Sequence, residues 1–464
     1  MDVAGRRISV VGAARSGVAA ALLLRRHGAE VFVSERGRMG ERDRSLLDLH
    51  GIGYEEGGHG PGVCEADCCV VSPGIPGEAP VIRALEESAV PLVSEIEAAF
   101  WFCPARIIGV TGTDGKTTTA TLIAAICAVD AEARGYRVHS VGNIGVPFSS
   151  LVDDMGERDI AVVELSSYQL ERCDRFRPEV AVITNIAQDH LDRYEGSMRR
   201  YAEAKYRIFR RQEQGDSLVY NAGNPVLRER FADRSGVLPH LVPFALDLPD
   251  VPACTEHCAT MDGEWLTLVA EGAREPVIDT ESLFKRSFRG RHNLENALAA
   301  AVAAAAAAIP VQAIREGLAS FGGVEHRQEY VRTVRGADWI NDSKATNLNA
   351  MRQALESSPG RLVLIAGGRD KGSDFGELLP VVRQKVDMLV TFGEARETIA
   401  GAWGGVVVDV VRADSLAEAV AAAAREASVG RTVLFSPGCS SFDMFSDYEE
   451  RGRAFKKLVQ EVSE

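Results

Sequence analysis

The run Arg106-Ile-Ile-Gly-Val-Thr111 leads straight into Gly112-Thr-Asp-Gly115-Lys116-Thr117, and few folds accommodate that junction. An apolar, β-branched strand that ends in a glycine-rich turn and reopens as a helix is an α/β unit, whose crossovers build a parallel sheet. Backbone N–H groups in such a turn can surround phosphate oxygens, the lysine can reach the terminal phosphates, and the hydroxyl can ligate Mg²⁺. Against the spacing G-x-x-x-x-G-K-[ST], position 110 is Val. The turn is therefore a shortened variant, with either Gly109 or Gly112 supplying the bend. The competing reading is a glycine turn that serves packing alone.

The same alternation recurs on both sides. Ile8–Val11, Val31–Val33 and Cys69–Ser72 read as strands, with Ala19–Arg26 and Val81–Glu87 as helices between and after them. Beyond Gly322-Gly323, strands are expected at Trp339-Ile340, Leu362–Ala366, Met388–Phe392, Val406–Val411 and Thr432–Ser436. A chain of 464 residues exceeds one ordinary core. The expected fold class is α/β in three successive domains: a Rossmann-like domain over 1–104, a P-loop ATPase-like domain with a mostly parallel sheet over 105–322, and a second Rossmann-like domain over 323–464. The alanine-rich run Ala297–Ile309 ends at Pro310 and falls short of the roughly 20 residues that span a bilayer, so it reads as a packed helix.

A formal net charge of -14 argues against a general nucleic-acid or anionic-membrane partner, and any phosphate site must be local. Nine irregularly spaced cysteines suit a reducing cytoplasm. Cys254, His257 and Cys258 offer three metal-type groups but no fourth at a known spacing, and read as a hairpin region.

Two residues stand where metal ligands are needed. Glu164 closes the apolar run Ile160–Val163, and His190 follows the run that begins at Val180. Strand carboxyl ends are where α/β sites form. By themselves, Glu164 could equally be a cap or ion-pair partner and His190 a structural histidine. Gly12-Ala-Ala-Arg-Ser-Gly17, in the first strand-to-helix turn, suits either a phosphate or close helix-on-strand packing.

Thr111-Gly-Thr-Asp-Gly-Lys-Thr-Thr118, Gly142-Asn143-Ile-Gly145, Glu164-Leu-Ser-Ser167, Asn185 to His190, Tyr201-Ala-Glu-Ala-Lys205 and His292-Asn293-Leu-Glu-Asn296 follow in that order. They continue with Glu325-His326-Arg327, Asn341-Asp342-Ser-Lys344-Ala-Thr346-Asn347 and Gly367-Gly368-Arg-Asp-Lys371. Together, over nearly the whole chain, they resemble the Mur ligase superfamily. Ser72-Pro73-Gly74-Ile75 and Ser436-Pro-Gly-Cys-Ser-Ser441-Phe-Asp-Met-Phe445 resemble its D-glutamate-adding branch. The Asp-Asn-Pro-Arg motif of the lysine- or diaminopimelate-adding branch is missing, and the loop reads Gly-Lys-Thr-Thr where folylpolyglutamate synthases have Gly-Lys-Gly-Ser.

That resemblance implies a cytoplasmic, monomeric ligase of peptidoglycan precursor synthesis. It would use ATP and two Mg²⁺ ions to join D-glutamate to UDP-N-acetylmuramoyl-L-alanine through an acyl phosphate. It assigns catalysis to Lys116, Glu164, His190 and Lys205, and metal binding to Thr117, Glu164, His190 and Lys205 as its carbamate. Without the resemblance, Lys205 reads as a solvated helix lysine. ATP falls to Gly112, Thr113, Asp114, Gly115, Lys116, Thr117, Thr118, Asn293, Asn296, Arg327 and Asp342, although Asn293 could instead cap a helix. The UDP-linked substrate falls to Arg15, Ser16, Gly17, Ser34, Glu35, Arg36, Ser72, Pro73, Gly74, Ile75, Asn143 and His190. D-Glutamate falls to Lys344, Thr346, Lys371, Ser441, Phe442 and Tyr448. Asp114 stands for the usual asparagine of the loop and could cap the turn, and Ala187 stands for a usual threonine. A ligase for another amino acid, or a regulatory nucleotide-binding protein, are the alternatives.

Overall fold

The computed structural model describes residues 2–143, 145–189, 193–233, 236–248, 257–283, 290–370 and 372–463. Two compact units emerge, Met1–Thr280 with His292–Ser320, and Glu281–Arg291 with Phe321–Glu464.

The first unit holds two sheets. Five parallel strands lie side by side in the order Gly53–Glu56, Glu30–Glu35, Arg7–Val11, Cys68–Val71 and Leu92–Val93. Ile8, Val10 and Val11 are all buried, as expected of a central parallel strand covered on both faces. The helix Arg15–Arg26 buries Val18, Ala20, Ala21 and Leu24 in the core of this sheet, while Leu23 packs into the core of the second sheet.

The second sheet has nine strands. Val138–Gly142, Ile160–Glu164, Arg106–Thr111, Val180–Ile183, Ser217–Asn221 and His240–Phe244 run parallel in that spatial order. His257–Asp262, Trp265–Ala270 and Ala273–Asp279 extend it as an antiparallel meander. The glycine-loop helix, Lys116–Arg134, is packed by Val311–Ser320, where Gly317 permits the approach: a Cβ there would lie 2.6 Å from Ile126 Cα. The alanine-rich segment is the helix Arg291–Ala306, buried from Asn296 through Ala304.

Two carboxylates join the sheets' domains. On the helix Glu95–Phe100, Glu97 accepts the N–H groups of Asp174, Arg175 and Phe176 at 2.9–3.0 Å and the Trp101 indole N–H at 3.0 Å. Glu95 accepts both the N–H and the hydroxyl of Ser149 at 2.6 Å, and burial pushes its carboxyl pKa above the usual carboxylate range.

The second unit is a six-stranded sheet in the order Glu329–Val334, Ala337–Asn341, Thr432–Gly438, Leu362–Gly367, Val386–Phe392 and Asp409–Arg412, antiparallel only at the first pair. The strand expected over Val406–Val411 is displaced to Asp409–Arg412. The N–H groups of Val406 and Val407 are taken by the Trp403 carbonyl, closing the preceding helix, so they cannot join a ladder. Among the described residues no helix is long and apolar enough to cross a membrane.

Candidate active site

Gly109 lies inside the strand Arg106–Thr111, so the bend belongs to Gly112, at φ +150°. Any side chain there would collide with Thr184 Oγ1, 1.9 Å from the would-be Cβ. Neighbouring strand ends brace the loop. Thr184 donates its hydroxyl to the Asp114 carbonyl at 2.6 Å, and Asn185 both accepts the Asp114 N–H at 2.9 Å and donates to that carbonyl at 3.1 Å. The Thr113 hydroxyl accepts the Ala187 N–H at 2.9 Å and lies 3.1 Å from the Tyr201 hydroxyl. The main chain of Ala187 thus holds Thr113, whatever side chain it carries. Gly115, at φ +79°, is the residue before the helix, and no side chain caps that terminus, so Asp114 is not the cap; it is exposed and held through its main chain. The first N–H groups of the 19-residue helix Lys116–Arg134 therefore face the turn, where helix polarity favours anions.

Two lysines converge on one carbonyl. Lys116 Nζ donates to Gly112 O at 3.0 Å and Thr113 O at 2.7 Å, and Lys205 Nζ donates to the same Gly112 O at 2.7 Å. Lys205 is 2% exposed, with Nζ 4.7 Å from the Tyr201 ring centroid, which rules out the solvated reading. Its burial, followed by repulsion from Lys116, lowers the amine to about 6. Thr117 stands in the first helical turn, and Thr118 is buried behind it.

Glu164 ends the strand beside Arg106–Thr111 and is 4% exposed. Asn143, itself exposed, donates its amide to Glu164 Oε1 at 3.0 Å and its N–H to the Glu164 carbonyl at 2.9 Å. Gly142, φ +116°, makes this approach possible, since a Cβ would sit 2.2 Å from that carbonyl. From the far side, Asn296 presses Oδ1 to 2.2 Å from where a Cβ on Gly115 would be, accepts the Thr119 hydroxyl at 3.3 Å and donates to Asn293 Oδ1 at 3.3 Å. Asn293 is the third residue of its helix, not its cap. The loop, Glu164, Asn143, Lys205 and the asparagine pair thus surround one strand's carboxyl end.

In the five-stranded sheet, Gly12 (φ +93°) and Gly17 make a turn with no room for a methyl group: a Cβ on Gly17 would be 1.9 Å from the Gly12 carbonyl. Ser72 donates to that carbonyl at 3.0 Å, and Ile75 approaches the same turn. Glu35 accepts the Ala13 N–H at 2.7 Å, while Arg15, Arg36 and Gly74 are exposed and Ser16 and Pro73 half-buried around it. Ser34 departs from the expectation of a ligand contact. It is fully buried, its hydroxyl 2.7 Å from both Glu55 Oε1 and His59 Nδ1, so it orders those side chains instead of facing the turn.

In the second unit, two adjacent parallel strands deliver most of the remaining described residues from their carboxyl ends. After Ala337–Asn341, Asp342 accepts the Ser436 hydroxyl at 2.7 Å and the Gln328 N–H at 3.2 Å, and burial pushes its carboxyl up to about 7. Lys344 and Thr346 follow in the same loop, half-buried, tied by Lys344 N–H to the His326 carbonyl at 2.9 Å. Ser441 is buried and Phe442 58% exposed beyond the strand Thr432–Gly438, and Tyr448 opens the last helix. Arg327 is half-buried next to His326, whose φ is +63°.

The sequence matches the MurD N-terminal domain over residues 7–81, the Mur ligase middle domain over 110–304, and the Mur ligase, glutamate ligase domain over 326–439. Its similarity to the UDP-N-acetylmuramoylalanine--D-glutamate ligase of Chlorobium phaeobacteroides (strain BS1) is 61% identity over 456 residues, 98% of each chain. The chain belongs to the Mur ligase family. The enzyme of the same name from Chlorobaculum tepidum is 52% identical, covering 100% of this chain and 99% of its own. Among solved structures, the UDP-N-acetylmuramate-alanine ligase MurC of Thermotoga maritima superposes with a TM-score of 0.60 at 20% identity, over 99% of this chain and 100% of its own. The pseudomurein peptide ligase type C of Methanothermus fervidus gives 0.55 at 19%, with the same coverage. At such identities these two speak for the three-sheet Mur ligase fold alone.

Thr184, Asn185, Tyr201 and Thr119 hold this Mur ligase loop and its asparagine partner, yet none is among the residues expected from sequence to bind ATP. The stretches from Asn185 to His190 and from Tyr201 to Lys205 were part of the resemblance, and that signal could have pointed to Asn185 and Tyr201; Thr184 and Thr119 show themselves only through contacts. His190, Lys371 and Cys254 lie outside the described residues. Cys258 is buried within the strand of a hairpin.

Proposed function

We propose that this chain adds D-glutamate to UDP-N-acetylmuramoyl-L-alanine in the cytoplasm, with hydrolysis of ATP to ADP and phosphate and an acyl phosphate between. The observation that carries it is the glycine loop with Lys116, Lys205, Glu164 and Asn143 gathered at the carboxyl ends of three adjacent strands. A carboxylate attacks a polyanion poorly, so positioning and charge neutralisation must supply most of the rate. Loop N–H groups and Lys116 bind the β- and γ-phosphates. Thr117, buried Glu164 and His190 are oxygen and nitrogen donors of the kind a hard cation takes, and Mg²⁺ would supply charge neutralisation between the substrate carboxylate and the γ-phosphate.

Lys205 is suited to carbamate formation. An amine held near 6 is neutral at physiological pH, and its lone pair can add to CO₂ with loss of one proton, turning a would-be cation into an anionic metal support. Asn293 and Asn296 are assigned to adenine, and Arg327 and Asp342 to further ATP contacts, Asp342 to the ribose. The turn from Gly12 to Gly17, with Glu35, Arg36 and Ser72–Ile75, takes the UDP group. Lys344, Thr346, Lys371, Ser441, Phe442 and Tyr448 form the amino-acid pocket, where a lysine and hydroxyls match a dicarboxylate. The enzyme works as a monomer.

The test is phosphate release with Mg²⁺-ATP and UDP-N-acetylmuramoyl-L-alanine, comparing D-glutamate with L-glutamate, L-alanine and lysine. Release confined to D-glutamate is expected. Release with another amino acid instead would keep the ligase chemistry and discard the pocket, and release with none would overturn the reading.

A further inference from the structure

Arg451, on the last helix, is fully buried, and among the described residues no carboxylate lies within ion-pair distance of it. Its guanidinium donates from Nε to the Ser343 hydroxyl at 3.0 Å, from Nη2 to the Ser343 carbonyl at 2.8 Å and from Nη1 to the Cys439 carbonyl at 3.0 Å. The Ser343 hydroxyl in turn donates to the Tyr448 carbonyl at 2.8 Å. Gly368, φ +130°, completes the enclosure, since a Cβ there would be 3.0 Å from Nη1. Every one of these partners adjoins the proposed amino-acid pocket: Ser343 precedes Lys344, Cys439 lies two residues before Ser441, and Tyr448 is itself a pocket residue.

A buried cation without a partner carboxylate is expensive, and evolution's usual solution is to pair it or replace it with an apolar side chain. Burial lowers this guanidinium only to about 10, so it stays charged at neutral pH. Neutral carbonyls and a hydroxyl satisfy its hydrogen bonds, and the carboxylates of Asp443 and Asp342 attract it only from beyond ion-pair distance. In a low-dielectric surrounding that charge reaches the far side of the two loops it ties together.

Building on the D-glutamate reading above, we infer that Arg451 is a positioning and specificity residue, the buried cation that biases the amino-acid pocket toward an anionic side chain while pinning the loops after residues 342 and 438. It does not touch the ligand.

The experiment compares wild-type enzyme with R451K, R451Q and R451M in steady-state phosphate release, each checked for folding by thermal unfolding. The neutral variants R451Q and R451M are expected to raise KM for D-glutamate tenfold or more while KM for ATP and for the UDP-linked substrate stays within about twofold. R451K, which keeps the charge but not the fork geometry, is expected to hold KM for D-glutamate within about threefold of wild type even as it lowers the melting temperature. If R451M does not fold, R451Q carries the neutral arm. An unchanged D-glutamate KM in the neutral variants, equal effects on all three substrates, or equal effects of Lys and Gln would each overturn the inference. A wild-type enzyme that shows no D-glutamate dependence would instead overturn the functional reading on which it rests.

Discussion

Glu97→Ala should loosen the joint between the first two sheets. The carboxylate is 1% exposed and receives four N–H groups. Asp174 and Arg175 are exposed, so water can take over their N–H groups after truncation. Phe176 is 1% exposed and the Trp101 indole is partly buried, and these two donors would be left without an acceptor. At about 1–3 kcal/mol for each orphaned buried donor, the loss comes to roughly 2–6 kcal/mol. With about 2–4 °C per kcal/mol for a domain of this class, the first unfolding transition should fall by at least about 4 °C. Glu97→Gln keeps one acceptor oxygen but turns an NH₂ toward donors, so an intermediate fall is expected. Thermal unfolding followed by Trp101 fluorescence, with hydrogen exchange at residues 174–176, reads both the energy and its place. A Glu97→Ala protein that melts within 2 °C of wild type, with unchanged exchange at 174–176, would refute this account of the joint.

Lys205 binds its proton only below about 6 in the folded chain, against a usual value of 10.5, so between those values the unfolded chain carries one proton more and stability rises with pH. The slope is about 1.4 kcal/mol per pH unit, and the difference between wild type and Lys205→Met across pH 7–9 should therefore change by about 3 kcal/mol; parallel profiles would contradict the burial argument. Gly115→Ala places a methyl group in the left-handed region, at about 1–2 kcal/mol, and against Asn296 Oδ1, so Mg²⁺-ATP affinity by calorimetry should fall tenfold or more. Glu164→Gln should preserve the Asn143 hydrogen bond while cutting kcat by 10²-fold or more on the order of magnitude seen for lost electrostatic stabilisers, with the melting temperature little changed.

Local pattern was enough for most strands and for the loop, because buried parallel strands are written as continuous apolar runs and a strand-glycine-helix junction has one common geometry. It could not choose between Gly109 and Gly112, a choice that depends on where the ladder with Ile160–Glu164 ends. Nor could it place Tyr201 against Thr113, across 88 positions of sequence, or find Thr119, which meets Asn296 across 177. Val406–Val411 shows the opposite error: β-branched residues fit a strand, but the preceding helix claims their first N–H groups. Ser34 was assigned to the UDP-linked substrate by the resemblance alone, and only the structure shows its hydroxyl between Glu55 and His59.

The alanine-rich helix Arg291–Ala306 reads as monotonous, yet its length is the exacting quantity. Its packed face accepts other small residues at modest cost, since shape there is set by the absence of bulk. Each residue of an α-helix, however, advances 1.5 Å and turns about 100°. Deleting one alanine between 297 and 304 would swing Asn296 a quarter-turn or more away from Gly115 and Thr119. The helix thus serves as a ruler, tolerant of spelling and intolerant of miscounting.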